Sequence, residues 1–198
     1  MAGKSNMPNY WQHRIKGGPN ALKLAQPLLF KHHILSTGWS NLSFDEFVER
    51  GLADAKYFNK TFNQTYPTLR NRRSLQRFLK MKKGDYVVVP LVGKFCIYEI
   101  EDDNIYTVES LNKIIAIDSL KYGEGQTVHA GEKNLLHDAD NEIIDLGFFR
   151  KVTCVAPPIS RSECDRLLYN KLKAHQTNIS LNGIKPSVDA IINKSNNH

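Results

Sequence analysis

The chain has 198 residues, 41% hydrophobic and 24% charged, which suits a globular protein with a core to bury and excludes a disordered or fibrous one. No apolar run approaches the roughly 18 residues of a membrane helix, and the first residues lack the apolar centre of a secretory signal. The net charge is +7 and uneven: residues 1–99 carry 16 Lys/Arg against 6 Asp/Glu, and residues 100–198 carry 11 against 14. Such a positive half points to a polyanionic partner, or to a soluble basic protein whose Lys and Arg simply face water.

Residues 1–8 are small and polar and read as a flexible N-terminus. Asn9 to Ile15 alternates bulky and polar residues, the pattern of a strand. Asn20 can cap a helix from Ala21 to about His32, with Leu22, Ala25, Leu28 and Leu29 on one face and Pro27 as a kink. A short strand, Ile34 to Trp39, ends at Gly38-Trp39. Ser43 and Glu46 have capping-box spacing and open a helix to about Lys56. Residues 57–67, aromatic and rich in Asn and Thr, read as a connection.

The next stretch is the most informative. Seven basic residues (Arg70, Arg72, Arg73, Arg77, Lys80, Lys82, Lys83) lie on and just after a helix expected from Thr68 to Met81, with Leu75, Phe78 and Leu79 facing inward. A Gly84-Asp85 turn follows, then a hairpin of Tyr86–Leu91 and Lys94–Glu101. Further strands are expected at 105–108, 113–117, 143–144 and 148–152, with a polar loop over 119–135. Pro157-Pro158 reads as a boundary. Beyond it, Ser160 and Glu163 form a second capping box opening a helix to about His175, and a short helix is expected at Val188–Lys194. The fold class is therefore α+β: a small mixed β-barrel with flanking helices over 9–156, and a helical C-terminal extension over 157–198.

Arg70-Asn71, the run Phe78-Leu79-Lys80-Met81-Lys82-Lys83-Gly84-Asp85 with its following strand, and Tyr10-Trp11 together resemble the core of EVE domains. These belong to the PUA-like superfamily, which includes readers of modified bases. Gly38-Trp39-Ser40 and the run from Gly147 to Val152 are similar to the N-terminal specificity domains of Mrr-type, modification-dependent restriction proteins. The resemblance covers roughly residues 9–156. It implies a PUA-like fold and recognition of a base, modified or not, in nucleic acid.

Arg70, Arg72, Arg73, Arg77, Lys82 and Lys83 are the candidate backbone contacts, because guanidinium groups fork onto phosphate oxygens; the alternative is a solvated helix face. Trp11, Trp39, Ser40, Asn41 and Phe149 are the candidate base pocket. Trp11 also suits core packing, and Ser40 and Asn41 are equally good turn residues. Neighbours on a strand face opposite sides, so one of Phe148 and Phe149 is expected in the core and the other exposed or facing the pocket. No catalytic set, cofactor motif or metal-ligand spacing is legible. The expected partner is nucleic acid, DNA ahead of RNA, with no membrane, and with an effector or a second copy joined through 159–198. Three alternatives stand beside this one: an RNA-binding PUA-like protein, a metal-dependent nuclease using carboxylates near Glu99–Asp103 or Asp138–Asp145, and a protein-interaction module of a defence system. The three cysteines (Cys96, Cys154, Cys164) lack CxxC spacing and fit reduced thiols in the cytoplasm.

Overall fold

The computed structural model describes residues 7–15, 18–69, 72–122 and 125–197. Elements in chain order begin β1 (Tyr10–His13), α1 (Pro19–His32), β2 (Ile34–Thr37), α2 (Asp45–Ala53), α3 (Ala55–Thr65) and α4 (Arg72–Leu79). The hairpin β3 (Tyr86–Pro90) and β4 (Lys94–Ile100) follows, then β5 (Tyr106–Thr107) and α5 (Val108–Leu111). Short strands β6 (Lys121–Tyr122), β7 (Gln126–Thr127), β8 (His129–Ala130), β9 (Leu136–His137) and β10 (Ile143–Ile144) precede the long β11 (Phe148–Ser160). The chain closes with α6 (Arg166–Leu172), β12 (Asn178–Ser180) and α7 (Lys185–Asn196). The fold is α+β, and among the described residues no helix is long and apolar enough to cross a membrane.

The chain divides into two compact units, 1–14 with 81–103 and 153–198, and 15–80 with 104–152. In the first, β1 lies between β12, antiparallel, and β3, parallel, with Trp11 opposite Ser180 on one side and Val87 on the other. β4 pairs antiparallel with β3, and β11 is its neighbour. Registered positions share a face, so Tyr10, Val88, Phe95 and Ile97 bury together against Leu168, Leu172, Val188 and Ile191 of α6 and α7. Trp11, Val87 and Tyr98 lie on the opposite face. The hairpin tip, Val92-Gly93, closes with a Leu91 N–H to Lys94 carbonyl bond, and Gly93 supplies the positive φ of +67° that the tight turn requires.

The segment beyond Pro157 is not the separate extension expected from sequence. β11 runs through Pro157-Pro158, β12 is hydrogen-bonded to β1, and α6 and α7 supply Leu168, Leu172, Val188, Ile191 and Ile192 to the unit's core. Prolines are tolerated there because β2 and β5 pair only with the first four residues of β11. The Ser160/Glu163 capping box forms, yet it caps a single 3₁₀ turn (Arg161–Glu163), and Asp165 caps α6 instead.

Asp85 organises this unit. Its carboxylate is 3% exposed and accepts from the Asn9 N–H at 2.8 Å, the Asn9 side-chain amide at 3.2 Å, the Trp11 indole N–H at 2.8 Å and the Lys82 N–H at 3.1 Å. Gly84, at φ +82°, lets the chain turn so that the Asp85 N–H returns to the Lys82 carbonyl. One side chain thereby ties the start of β1 to the turn that launches β3.

In the second unit, β11 is the middle strand, with β2 and β5 both antiparallel to it: Phe148 faces Thr37 and Thr107, and Phe149 faces Ser36 and Tyr106. α1 covers one face through Leu24, Ala25 and Leu28, which pack with Phe149, Val108 and Leu146. Leu24 takes the inward place expected for Leu22, which is 37% exposed. On the other face Phe148 meets Phe47 of α2, whose ring packs tilted against Phe58 of α3. Both faces are covered, so Phe148 and Phe149 are both fully buried, against the expectation that one would face out. Residues expected to connect, 57–67, are mostly helix α3, whose Phe58, Phe62 and Tyr66 are spaced four apart. The expected strand at 113–117 is instead a turn that follows α5 and leads into a 3₁₀ helix (Ile117–Ser119).

Removing the Asp85 carboxylate strands four donors at once. Asp85→Ala is expected to lower the unfolding free energy by about 3 kcal/mol, the cost of hydrogen bonds to a buried charge. Urea denaturation reads this directly, and an unchanged midpoint contradicts the role given to Asp85.

Candidate nucleic-acid interface

α4 is strongly amphipathic. Leu75, Phe78 and Leu79 are buried, Arg72 and Arg73 are exposed, and Arg77 is half-buried. Lys80, just past its end, is exposed as well. Arg70 lies outside the described residues. No acidic residue occupies the first turn of α4, so Arg72 and Arg73 add to the positive end of the helix dipole. An anion docked there would relieve that repulsion.

The other end of α4 is held by a residue that sequence reading passed over. Arg150, third residue of β11, is 0% exposed. Its Nε donates to the Phe78 carbonyl at 3.1 Å and its Nη2 to the Leu79 carbonyl at 2.8 Å; Nη1 reaches the Asn104 carbonyl at 3.4 Å. The last carbonyls of a helix have no intrahelical partner and carry its negative partial charge. The buried guanidinium supplies both hydrogen bonds and charge, and so fixes where α4 ends relative to the β11 strand.

Trp39 stands on a built loop in the same unit. Its backbone is left-handed, φ 72° and ψ 37°, a conformation that costs a non-glycine residue about 1–3 kcal/mol. Three groups hold it there. Asp145 Oδ1 accepts the Ser40 N–H at 2.9 Å. Ser43 donates its hydroxyl to the Gly147 carbonyl and accepts the Val108 N–H at 2.8 Å. Gly147 lies so close that a Cβ there would come within 2.8 Å of Ser40 Cα. The half-buried indole packs on Phe62 at 5.1 Å and edge-on to Tyr66 at 5.4 Å. Burial, and behind it the Asp145 carboxylate, raise the Tyr66 phenol above its ordinary pKa, so it stays protonated and its oxygen accepts the Asn41 N–H at 3.3 Å.

Of the expected base-pocket residues, then, Trp39 and the exposed Asn41 sit together with Phe62 and Tyr66. Ser40 is 4% exposed and locked in the loop's backbone clamp, so it presents no edge to a ligand. Phe149 is core, packed beneath α1. Trp11 belongs to the first unit, where its indole N–H is committed to Asp85. Lys82 and Lys83, in that unit too, have exposed side chains, while their backbone N–H groups serve Asp85 and Asp103. Ser43 does not cap α2, because its hydroxyl is taken by Gly147 and Val108.

Of the carboxylates considered for metal chemistry, Asp138 and Glu101 serve as hydrogen-bond acceptors within the fold. Asp138 accepts the Asn20 amide and the Asp140 and Glu142 N–H groups, and Glu101 accepts the Thr153 hydroxyl. Among the described residues no group of three or more His, Cys, Asp or Glu side chains is placed to hold a metal ion. All three cysteines are free, and burial, with Cys154 nearby, pushes the Cys96 thiol up to about 11. The chain matches no protein-family model, no curated protein and no solved structure.

The close approach of Gly147 to the Trp39 loop is testable. Gly147→Ala is expected to destabilise the chain by about 1–3 kcal/mol, the usual cost of forcing a group into a filled site. The loss should register in urea melts followed by tryptophan fluorescence. A variant as stable as wild type contradicts the clamp.

Proposed function

We propose that the chain is a nucleic-acid-binding module that grips phosphates with α4 and accommodates a base beside Trp39. The observation that carries this reading is the exposed pair Arg72 and Arg73 on a helix whose far end is sealed by a buried arginine. Guanidinium groups held on an ordered helix meet phosphate oxygens without first losing backbone freedom. The half-exposed Trp39 ring, braced by Phe62 and Tyr66, offers a face on which an unpaired base can stack, and Asn41 lies next to it with an exposed amide. The resemblance to EVE domains extends the proposal to a PUA-like fold and to a modified base in DNA as the preferred target, ahead of RNA.

The two elements act on different quantities. Phosphate contacts set the salt dependence, and stacking sets a term that salt leaves alone. For DNA, Arg72→Ala with Arg73→Ala is expected to weaken binding and to flatten the plot of log affinity against log salt by roughly two units. Trp39→Ala should cost about 1–3 kcal/mol while leaving the slope in place. Fluorescence anisotropy with labelled DNA and RNA, with and without base modification, measures both. Absence of binding at low salt, or a slope indifferent to the two arginines, defeats the proposal.

A further inference from the structure

A second concentration of positive charge lies on the outward side of α1, apart from α4 and the Trp39 loop. That helix turns Leu24, Ala25, Leu28 and Leu29 into the core and leaves Lys23, Gln26, Phe30 and Lys31 exposed. Together with Pro27 and with Lys121 of β6, they line an open groove of about 480 Å³. The volume falls within the range of small-ligand sites. No described residue of its lining is acidic, and none of the three lysines makes an ion pair with a described residue.

The arrangement has a direction. Lys23 and Lys31 are eight residues apart on one helix, about 12 Å along its axis. At that separation the two can hold different phosphates of one strand. Between them Pro27 and Phe30 form an apolar floor, and Phe30 is 41% exposed, unusual for a phenylalanine. Pro27 also lacks the N–H that would have bonded the Lys23 carbonyl, so the helix leaves an acceptor at this edge of the groove. Cations at both ends of a strip, a third cation at its side and an aromatic ring in the middle match an extended polyanion that carries flat apolar groups. In a duplex the bases are stacked on one another and offer no free face; in a single strand they do.

We infer that the α1 groove is a second nucleic-acid contact, taking a single-stranded segment with its phosphates on Lys23, Lys31 and Lys121 and one base stacked on Phe30. This inference rests on the nucleic-acid reading above and adds the strand state and a subsite. It divides the work of the second unit between α4, which contacts backbone, and α1, which selects unpaired strand.

The experiment uses the full chain, a single-stranded DNA of about twelve nucleotides and a duplex of the same sequence. Phe30→Ala is expected to weaken single-strand binding by about fivefold to a hundredfold and to leave duplex binding within about twofold, because only an unpaired base stacks. Lys23→Gln with Lys31→Gln should lower the single-strand salt slope by about 1.4 units, close to 0.7 per phosphate. All three positions are at the surface, so circular dichroism should report unchanged folds. If wild type binds and these variants bind the single strand as wild type does, the groove is refuted while the function proposed for α4 stands. Equal losses on single strand and duplex also refute it, since they assign the lysines to general attraction. If wild type binds neither nucleic acid, both readings fall together.

Discussion

Arg150 carries a permanent charge with no surface open to solvent, and the basic helix is placed by the way that charge is satisfied. Burying a guanidinium is costly, by several kcal/mol even after relaxation, unless its donors find acceptors. Here the acceptors are the carbonyls of Phe78 and Leu79 at the end of α4 and that of Asn104. These are the groups that a helix C-terminus leaves unpaired, and their dipoles favour a cation. Each side of the contact removes the other's penalty. The consequence reaches the surface: with its end locked to the middle strand of the unit, α4 holds Arg72 and Arg73 outward at a fixed pitch.

The same device recurs, and it changes how the net charge is understood. Arg14 donates from Nε and Nη2 to the carbonyls of Ala174 and Leu172 at the end of α6, and Arg161 bridges the Leu91 and Lys94 carbonyls at the hairpin tip. Arg50 is paired with Glu46 one turn away and lies over the Tyr57 ring. Several arginines are thus structural, fastening the ends of elements. Burial, and then the neighbouring Arg161, lower the Arg14 pKa, a cost that its hydrogen bonds to the two carbonyls offset. Charge available to a partner is carried by fewer residues than the composition suggests. Arg72, Arg73 and the lysines of α1 are the clearest cases.

The parts of the fold that depend on local chemistry were legible in the sequence. Gly84-Asp85 is a turn because a positive φ demands glycine, and the alternation after it makes a hairpin. The amphipathic spacing of Leu75, Phe78 and Leu79 marks α4 within a few residues of its ends. Other features depend on partners far along the chain. α3 is rich in Asn and Thr, weak helix formers, and only its aromatic spacing signals the helix that packing stabilises. The C-terminal segment looks detached because β12 is short and polar, yet Asn178 pairs with His13, 165 positions away. Arg150 reads as one more basic residue on a strand; nothing nearby announces that it will be buried under a helix. In the candidate site, Trp39 stood out by its Gly and Ser neighbours. The Asp145 and Gly147 clamp that strains it lies more than 100 residues downstream.

The link between a buried guanidinium and an exposed binding face is the central claim, and amide hydrogen exchange on Arg150→Met tests it most directly. Methionine keeps much of the apolar volume and removes every donor. In that variant amides of Arg72–Leu79 are expected to exchange about tenfold faster or more, amides of β1 and β3 to keep their protection, and DNA affinity to fall with the loss of order in α4. Unchanged protection of α4 in that variant, or undiminished DNA binding by a loosened α4, would contradict it.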